Sequence, residues 1–147
     1  MKAGLSILHL AFVVTLIAAA SGWDYGWDLI IGIIVCTFLV QEKYTYSLIM
    51  YETEQDGVDK KNLYCICKTD KRKVLKIFLI GLLLIPVVLI VGAILLTLPE
   101  WTASVAILLL IHNSSCAFAD YMAFVRGISF LKNQVLIGDE NKPELTD

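Results

Sequence analysis

The chain has 147 residues, of which 58% are hydrophobic, and its mean hydropathy is +0.74 with a net charge of −2. This is more apolar side chain than one soluble domain of this size can bury, so the composition argues against a soluble protein and indicates lipid contact. The basic residues concentrate in one segment with no aromatic platform or recognised motif among them, which argues against nucleic-acid binding.

Four apolar segments follow one another along the chain and predict an all-α integral membrane bundle of four transmembrane helices. They form a single domain over residues 1–131, because the polar tail after it is too short to fold alone. The predicted spans are about 5–22, 27–51, 74–98 and 102–131, with a cytoplasmic loop at 52–73 and a cytoplasmic tail at 132–147.

The first segment has two interpretations. It resembles a signal peptide, because Lys2 precedes an apolar run that ends in three alanines before Ser21. It also fits a retained helix, since the N-terminal region carries a single lysine and His9 interrupts the apolar run. The retained helix is the favoured interpretation.

The lysines and arginines predict the orientation. Residues 52–74 contain six of them, whereas the two short turns on the opposite side contain none and carry Asp24, Asp28 and Glu100. The positive-inside rule therefore places the loop and both termini in the cytoplasm. The lipid bilayer is the predicted partner, and the basic stretch 60–73 is a candidate contact for a second membrane protein or for anionic headgroups.

Several polar residues lie inside the predicted spans, where an ionisable group costs at least about 2.5 kcal/mol. When depth is counted along each helix from the outer turns, at about 1.5 Å per residue, these residues fall in the middle or cytoplasmic half of the bilayer. One interpretation is internal ion pairing, for example Lys43 with Asp120 and Glu42 with a histidine; the other is a metal or proton site. We call this set the polar layer, and it comprises His9, Gln41, Glu42, Lys43, His112, Asn113 and Asp120.

The four cysteines show no disulfide or metal-binding pattern. Cys36 and Cys116 lie inside apolar segments, where a small polarizable residue packs well. Cys65 and Cys67 form a C-x-C pair without a second pair or a histidine nearby. All four are therefore predicted to be packing residues or free thiols.

Two parts of the chain resemble a family of small bacterial membrane proteins described as zincin-type peptidases with a domain of unknown function. The first is the polar stretch HNSSCAFAD at 112–120, continued by an apolar stretch to 126 and by VLIGD at 135–139. The second is the middle region, with the segment 63–65 and Pro86. The resemblance covers about residues 29–140 and implies a location in the bacterial plasma membrane.

In that family, an intact site carries His-Glu-x-x-His on the helix that corresponds to the second span here. The two histidines would bind zinc, and the glutamate would activate a water. The resemblance places Gln41 and Thr45 at the two histidine positions, Glu42 at the catalytic position and Asp120 at the third ligand. Gln and Thr are poor zinc ligands, so the motif is degenerate.

The sequence leaves three functions open. The first is a non-catalytic membrane protein without a cofactor, related to these peptidases. The second is an active intramembrane metallopeptidase with atypical zinc ligands; its candidate residues are Glu42 for catalysis and Asp120 and His112 for metal. The third is a small transporter or immunity-type membrane protein. The missing histidines favour the first.

Overall fold

The computed structural model describes residues 1–24, 26–94 and 100–140, and the secondary structure in these ranges is entirely helical. The four helices are α1 (Lys2–Ala20), α2 (Gly26–Glu54), α3 (Lys60–Ile94) and α4 (Glu100–Glu140). Each contains a stretch that is long and apolar enough to cross a membrane. The prediction of an all-α chain with four such helices is confirmed.

The turn between α1 and α2 begins with a glycine in the left-handed region. Gly22 has φ 95°, and its N–H donates to the carbonyl of Ala19 while the N–H of Trp23 donates to that of Ala18. This is the Schellman arrangement, which satisfies carbonyls that the end of a helix leaves unpaired. It reverses the chain so that α2 packs against α1.

The loop predicted at 52–73 is wrong in its secondary structure. Residues 52–54 belong to α2 and residues 60–73 to α3, so that 55–59 alone connect the two helices. The Asp59 carboxylate accepts a hydrogen bond from the Lys61 N–H at 3.0 Å and caps the start of α3. Similarly, α4 continues through the predicted tail to Glu140, and 141–147, like 95–98 of the third predicted span, lie outside the described residues.

Helix α4 is the central element, because it packs against each of the other three. Two apolar clusters lie at opposite ends of the bundle, and the polar layer falls between them along α2 and α4. The first cluster joins α1 and α2 through Phe12, Leu16, Ala19 and Ile30. The second cluster joins α2, α3 and α4 through Ile49, Leu63, Cys67 and Leu131.

Much of the apolar surface points away from the bundle. Between residues 74 and 92 of α3, no residue is buried, and side chains such as Leu83 and Ile90 are largely exposed. The same holds for Leu10 of α1 and Ile31 of α2. Exposed large apolar side chains on several helices are typical of contact with lipid or with another apolar partner.

Candidate functional site

One carboxylate, that of Asp120, joins α2 and α4 through two hydrogen bonds. Gln41 and Thr45 are four residues apart, so they lie on the same face of α2. Gln41 Nε2 donates to Asp120 Oδ1 at 2.8 Å, and Thr45 Oγ1 donates to the same oxygen at 2.6 Å. All three side chains are partly buried. The resemblance places the three zinc ligands at these same three positions.

The neighbouring glutamate faces a different partner. Glu42 Oε1 accepts a hydrogen bond from Arg126 Nη1 at 2.5 Å, and the two form a salt bridge between α2 and α4. The guanidinium also lies over the ring of Tyr46, 4.6 Å from its centroid, which adds a cation–π contact. The Glu42 side chain is 18% exposed and that of Arg126 56% exposed, so this pair lies at the edge of the bundle.

A second polar cluster joins α1 to α4. His9, His112 and Cys116 each offer one ligand atom, and these atoms all lie within 4.8 Å of one another. His112 and Cys116 are four residues apart and therefore share a face of α4. We call these three residues the His–Cys cluster. It is a candidate metal-binding group made of two histidines and one cysteine.

His112 is buried without a hydrogen-bond partner. Its exposed fraction is 4%, and neither ring nitrogen has a partner among the described residues. The ring of Phe12 stacks on it with centroids 4.0 Å apart and planes 9° apart, and the His9 ring meets it edge-on at 5.2 Å. The imidazole is therefore packed against two rings while both of its nitrogens lack a hydrogen-bond partner among the described residues.

The structure divides the predicted polar layer into these groups and places two of its members outside. Lys43 and Asn113 are exposed on the surface of their helices. The Lys43–Asp120 pair is wrong, because Asp120 bonds to Gln41 and Thr45 instead. The pairing of Glu42 with a histidine is also wrong, since Arg126 takes that place.

Two contributors were missed by the sequence interpretation. Cys116 was predicted to be a packing residue or a free thiol, although its spacing of four residues from His112 puts both on one helical face and could have linked them. Arg126 was not predicted as the partner of Glu42. No sequence signal identified that pair, because the two residues lie 84 positions apart on different helices.

Comparison with known proteins identifies no relative of this chain. No family model matches the chain, and no curated protein or solved structure matches it either. Inference about function therefore depends on the geometry of the Asp120 site and of the His–Cys cluster, together with the resemblance in the sequence.

Proposed function

We propose that the chain is a four-span plasma-membrane protein with both termini in the cytoplasm, and a non-catalytic relative of the bacterial zincin-type membrane peptidases. One observation carries the proposal: positions 41, 45 and 120 meet in space, as the ligands of a zinc site would, but Gln and Thr stand at the two histidine positions. Of the three expected ligands, Asp120 alone has a side chain that commonly binds zinc.

The lengths of the helices support membrane insertion. About 20 helical residues cross the hydrocarbon core, whereas α3 has 35 and α4 has 41. The surplus of α3 is its lysine-rich start, and the surplus of α4 is its polar end. Both ends extend on the side that the positive-inside rule assigns to the cytoplasm.

The side chains at the degenerate site support a structural role over a catalytic one. Gln41 and Thr45 act as hydrogen-bond donors to Asp120, so its carboxylate oxygen is already engaged. Glu42, which would activate water in an intact family member, is ion-paired with Arg126. A general base has to reach a bound water, and this ion pair directs the carboxylate to the guanidinium.

The packing of α1 supports its retention in the mature protein. Phe12 is 1% exposed and Leu16 6% exposed, and both pack in the first apolar cluster against Ile30 of α2. Removing α1 would expose this cluster and separate His9 from His112. The intact mass of the purified protein should therefore correspond to a chain that still contains residues 1–20.

Restoring the missing ligands tests the proposal. The double variant Gln41→His/Thr45→His should gain one equivalent of zinc over the wild-type protein, and Asp120→Ala should abolish that gain. The matched control is Lys43→His/Ser47→His, which puts two histidines with the same spacing on exposed positions of α2. Any zinc that this control binds should be unaffected by Asp120→Ala.

Two outcomes would contradict the proposal. If the wild-type protein holds stoichiometric zinc that Asp120→Ala releases, the site is an active-type metal centre with atypical ligands. If the restored variant gains no zinc that depends on Asp120, positions 41, 45 and 120 are not a former ligand set.

A further inference from the structure

We propose that His9, His112 and Cys116 form a binding site for a thiophilic closed-shell metal ion, either zinc(II) or copper(I). The resemblance assigns zinc to positions 41, 45 and 120, none of which belongs to this His–Cys cluster; His112 was a candidate metal residue from the sequence alone. The inference is therefore independent of the degenerate peptidase site, and it stands or falls on its own test.

The geometry of the cluster is close to that of a metal site. Three candidate ligand atoms from two helices lie within 4.8 Å of one another. Zinc bonds are about 2.0–2.1 Å to nitrogen and about 2.3 Å to sulfur, so ligand atoms around one tetrahedral ion lie roughly 3.5 Å apart. Side-chain movements of about an ångström would bring the three atoms to these bond lengths.

The buried imidazole is the independent observation that points to a ligand. A buried polar group without a hydrogen bond is costly, and most such groups in native proteins have a partner. His112 is 4% exposed, and both its nitrogens lack a partner among the described residues. Coordination of a metal ion through one of them would supply the missing interaction.

Contacts within the protein help to fix the orientation of both rings. The Nδ1–H of His9 donates to the carbonyl of Leu5 at 2.8 Å, which leaves the lone pair on Nε2. A backbone carbonyl that fixes the tautomer in this way is a common outer partner of metal-binding histidines. His112 is fixed by its stacking on Phe12, so neither ring has to be reordered extensively on binding.

The donor set determines the class of metal. Two imidazoles and one thiolate favour zinc or copper(I) over magnesium or calcium, which prefer oxygen ligands. A single thiolate neutralises copper(I) completely, which suits an apolar environment. Zinc(II) would keep one positive charge, which costs more to bury than the neutral copper(I) site.

The test uses the full-length protein in detergent, loaded separately with zinc(II) and, under anaerobic reducing conditions, with copper(I). Competition with a chromophoric chelator should give one bound ion per chain for at least one of the two metals. His112→Gln and Cys116→Ser should each weaken that binding by at least about a hundredfold, since removing even an outer partner of a ligand costs about 10- to 100-fold. Cobalt(II) loading should give a thiolate charge-transfer band that Cys116→Ser removes.

The control for the cysteine is Cys36→Ala, which removes an exposed thiol on α2 and should leave the affinity unchanged. Circular dichroism and gel filtration should show that each variant keeps its fold, and Cys116→Ser is the near-isosteric variant for this purpose. Asp120→Asn separates the two sites, because it should preserve binding here. Failure of both metals to bind stoichiometrically, or binding that survives both His112→Gln and Cys116→Ser, would overturn the inference, as would binding that Asp120→Asn abolishes.

Discussion

Replacing Asp120 with alanine should remove the main polar connection between α2 and α4. The Asp120 carboxylate accepts two interhelical hydrogen bonds, at 2.8 Å and 2.6 Å. Such bonds within membranes contribute about 0.6 kcal/mol on average and up to about 1.7 kcal/mol each. We therefore expect Asp120→Ala to lower the free energy of unfolding by about 1–3 kcal/mol. Asp120→Asn keeps an acceptor oxygen and should cost less than about 1 kcal/mol.

The measurement is unfolding of the protein in mixed micelles by increasing sodium dodecyl sulfate, followed by circular dichroism. A double-mutant cycle with Thr45→Val isolates the single bond, because valine preserves the side-chain volume and removes the hydroxyl. The coupling energy between Thr45→Val and Asp120→Ala should be about 0.5–1.7 kcal/mol. The same cycle with Gln41→Leu measures the second bond.

The matched control is Asp70→Ala. Asp70 pairs with Lys73 at 3.1 Å three residues along the same helix, and both side chains are substantially exposed. An exposed helical pair of this kind contributes only about 0.3–0.5 kcal/mol. If Asp120→Ala is no more destabilising than Asp70→Ala, or if the coupling to Thr45 is zero, the proposed structural role of Asp120 is refuted.

Two further predictions test the packing and the orientation. Gly26→Ala should destabilise the protein by about 1–3 kcal/mol, because the new Cβ would lie 2.7 Å from Ala19 Cβ. Gly32→Ala on the same helix is the control: its Cβ meets open space, so it should stabilise the protein by up to about 1 kcal/mol. Equal effects of the two variants on unfolding in detergent would exclude this close approach of α1 and α2. A membrane-impermeant maleimide should label the exposed Cys65 in inverted vesicles but not in intact cells. The buried Cys67 should react far more slowly. Labelling of Cys65 in intact cells would contradict the predicted orientation.

The helices could be predicted from the sequence because each apolar run is long enough to cross a bilayer. Their ends could not, since hydropathy marks where lipid contact ends and does not mark where the helix ends. Residues 60–73 are rich in lysine and lie outside the apolar run, yet they are helical, and the capping residue Asp59 marks where this helix begins. The end of α4 at Glu140 was missed for the same reason.

The candidate sites, like the helices, could be predicted from the sequence only in part. Helical spacing predicts which residues share a face, as with Gln41 and Thr45 on α2 or His112 and Cys116 on α4. It does not predict which face of a neighbouring helix they meet, because that depends on how four helices pack together. The depth of each residue in the bilayer could be counted, but the rotation of each helix could not, and rotation decides that Asp120 meets Gln41 while Lys43 points outward.

The unburied stretch of α3 has a consequence for how this sequence can vary. Between residues 74 and 92, the positions that meet α4 closely include Phe78, whose ring lies 4.9 Å from that of Phe118, and two glycines, Gly81 facing Ser114 and Gly92 facing Ala103. The exposed positions around them have to remain apolar, but no neighbouring side chain selects among Leu, Ile and Val. We expect related chains to exchange these residues freely and to preserve the pattern on α4. Sequence similarity between distantly related chains should therefore remain detectable in α4 after it is no longer detectable in α3.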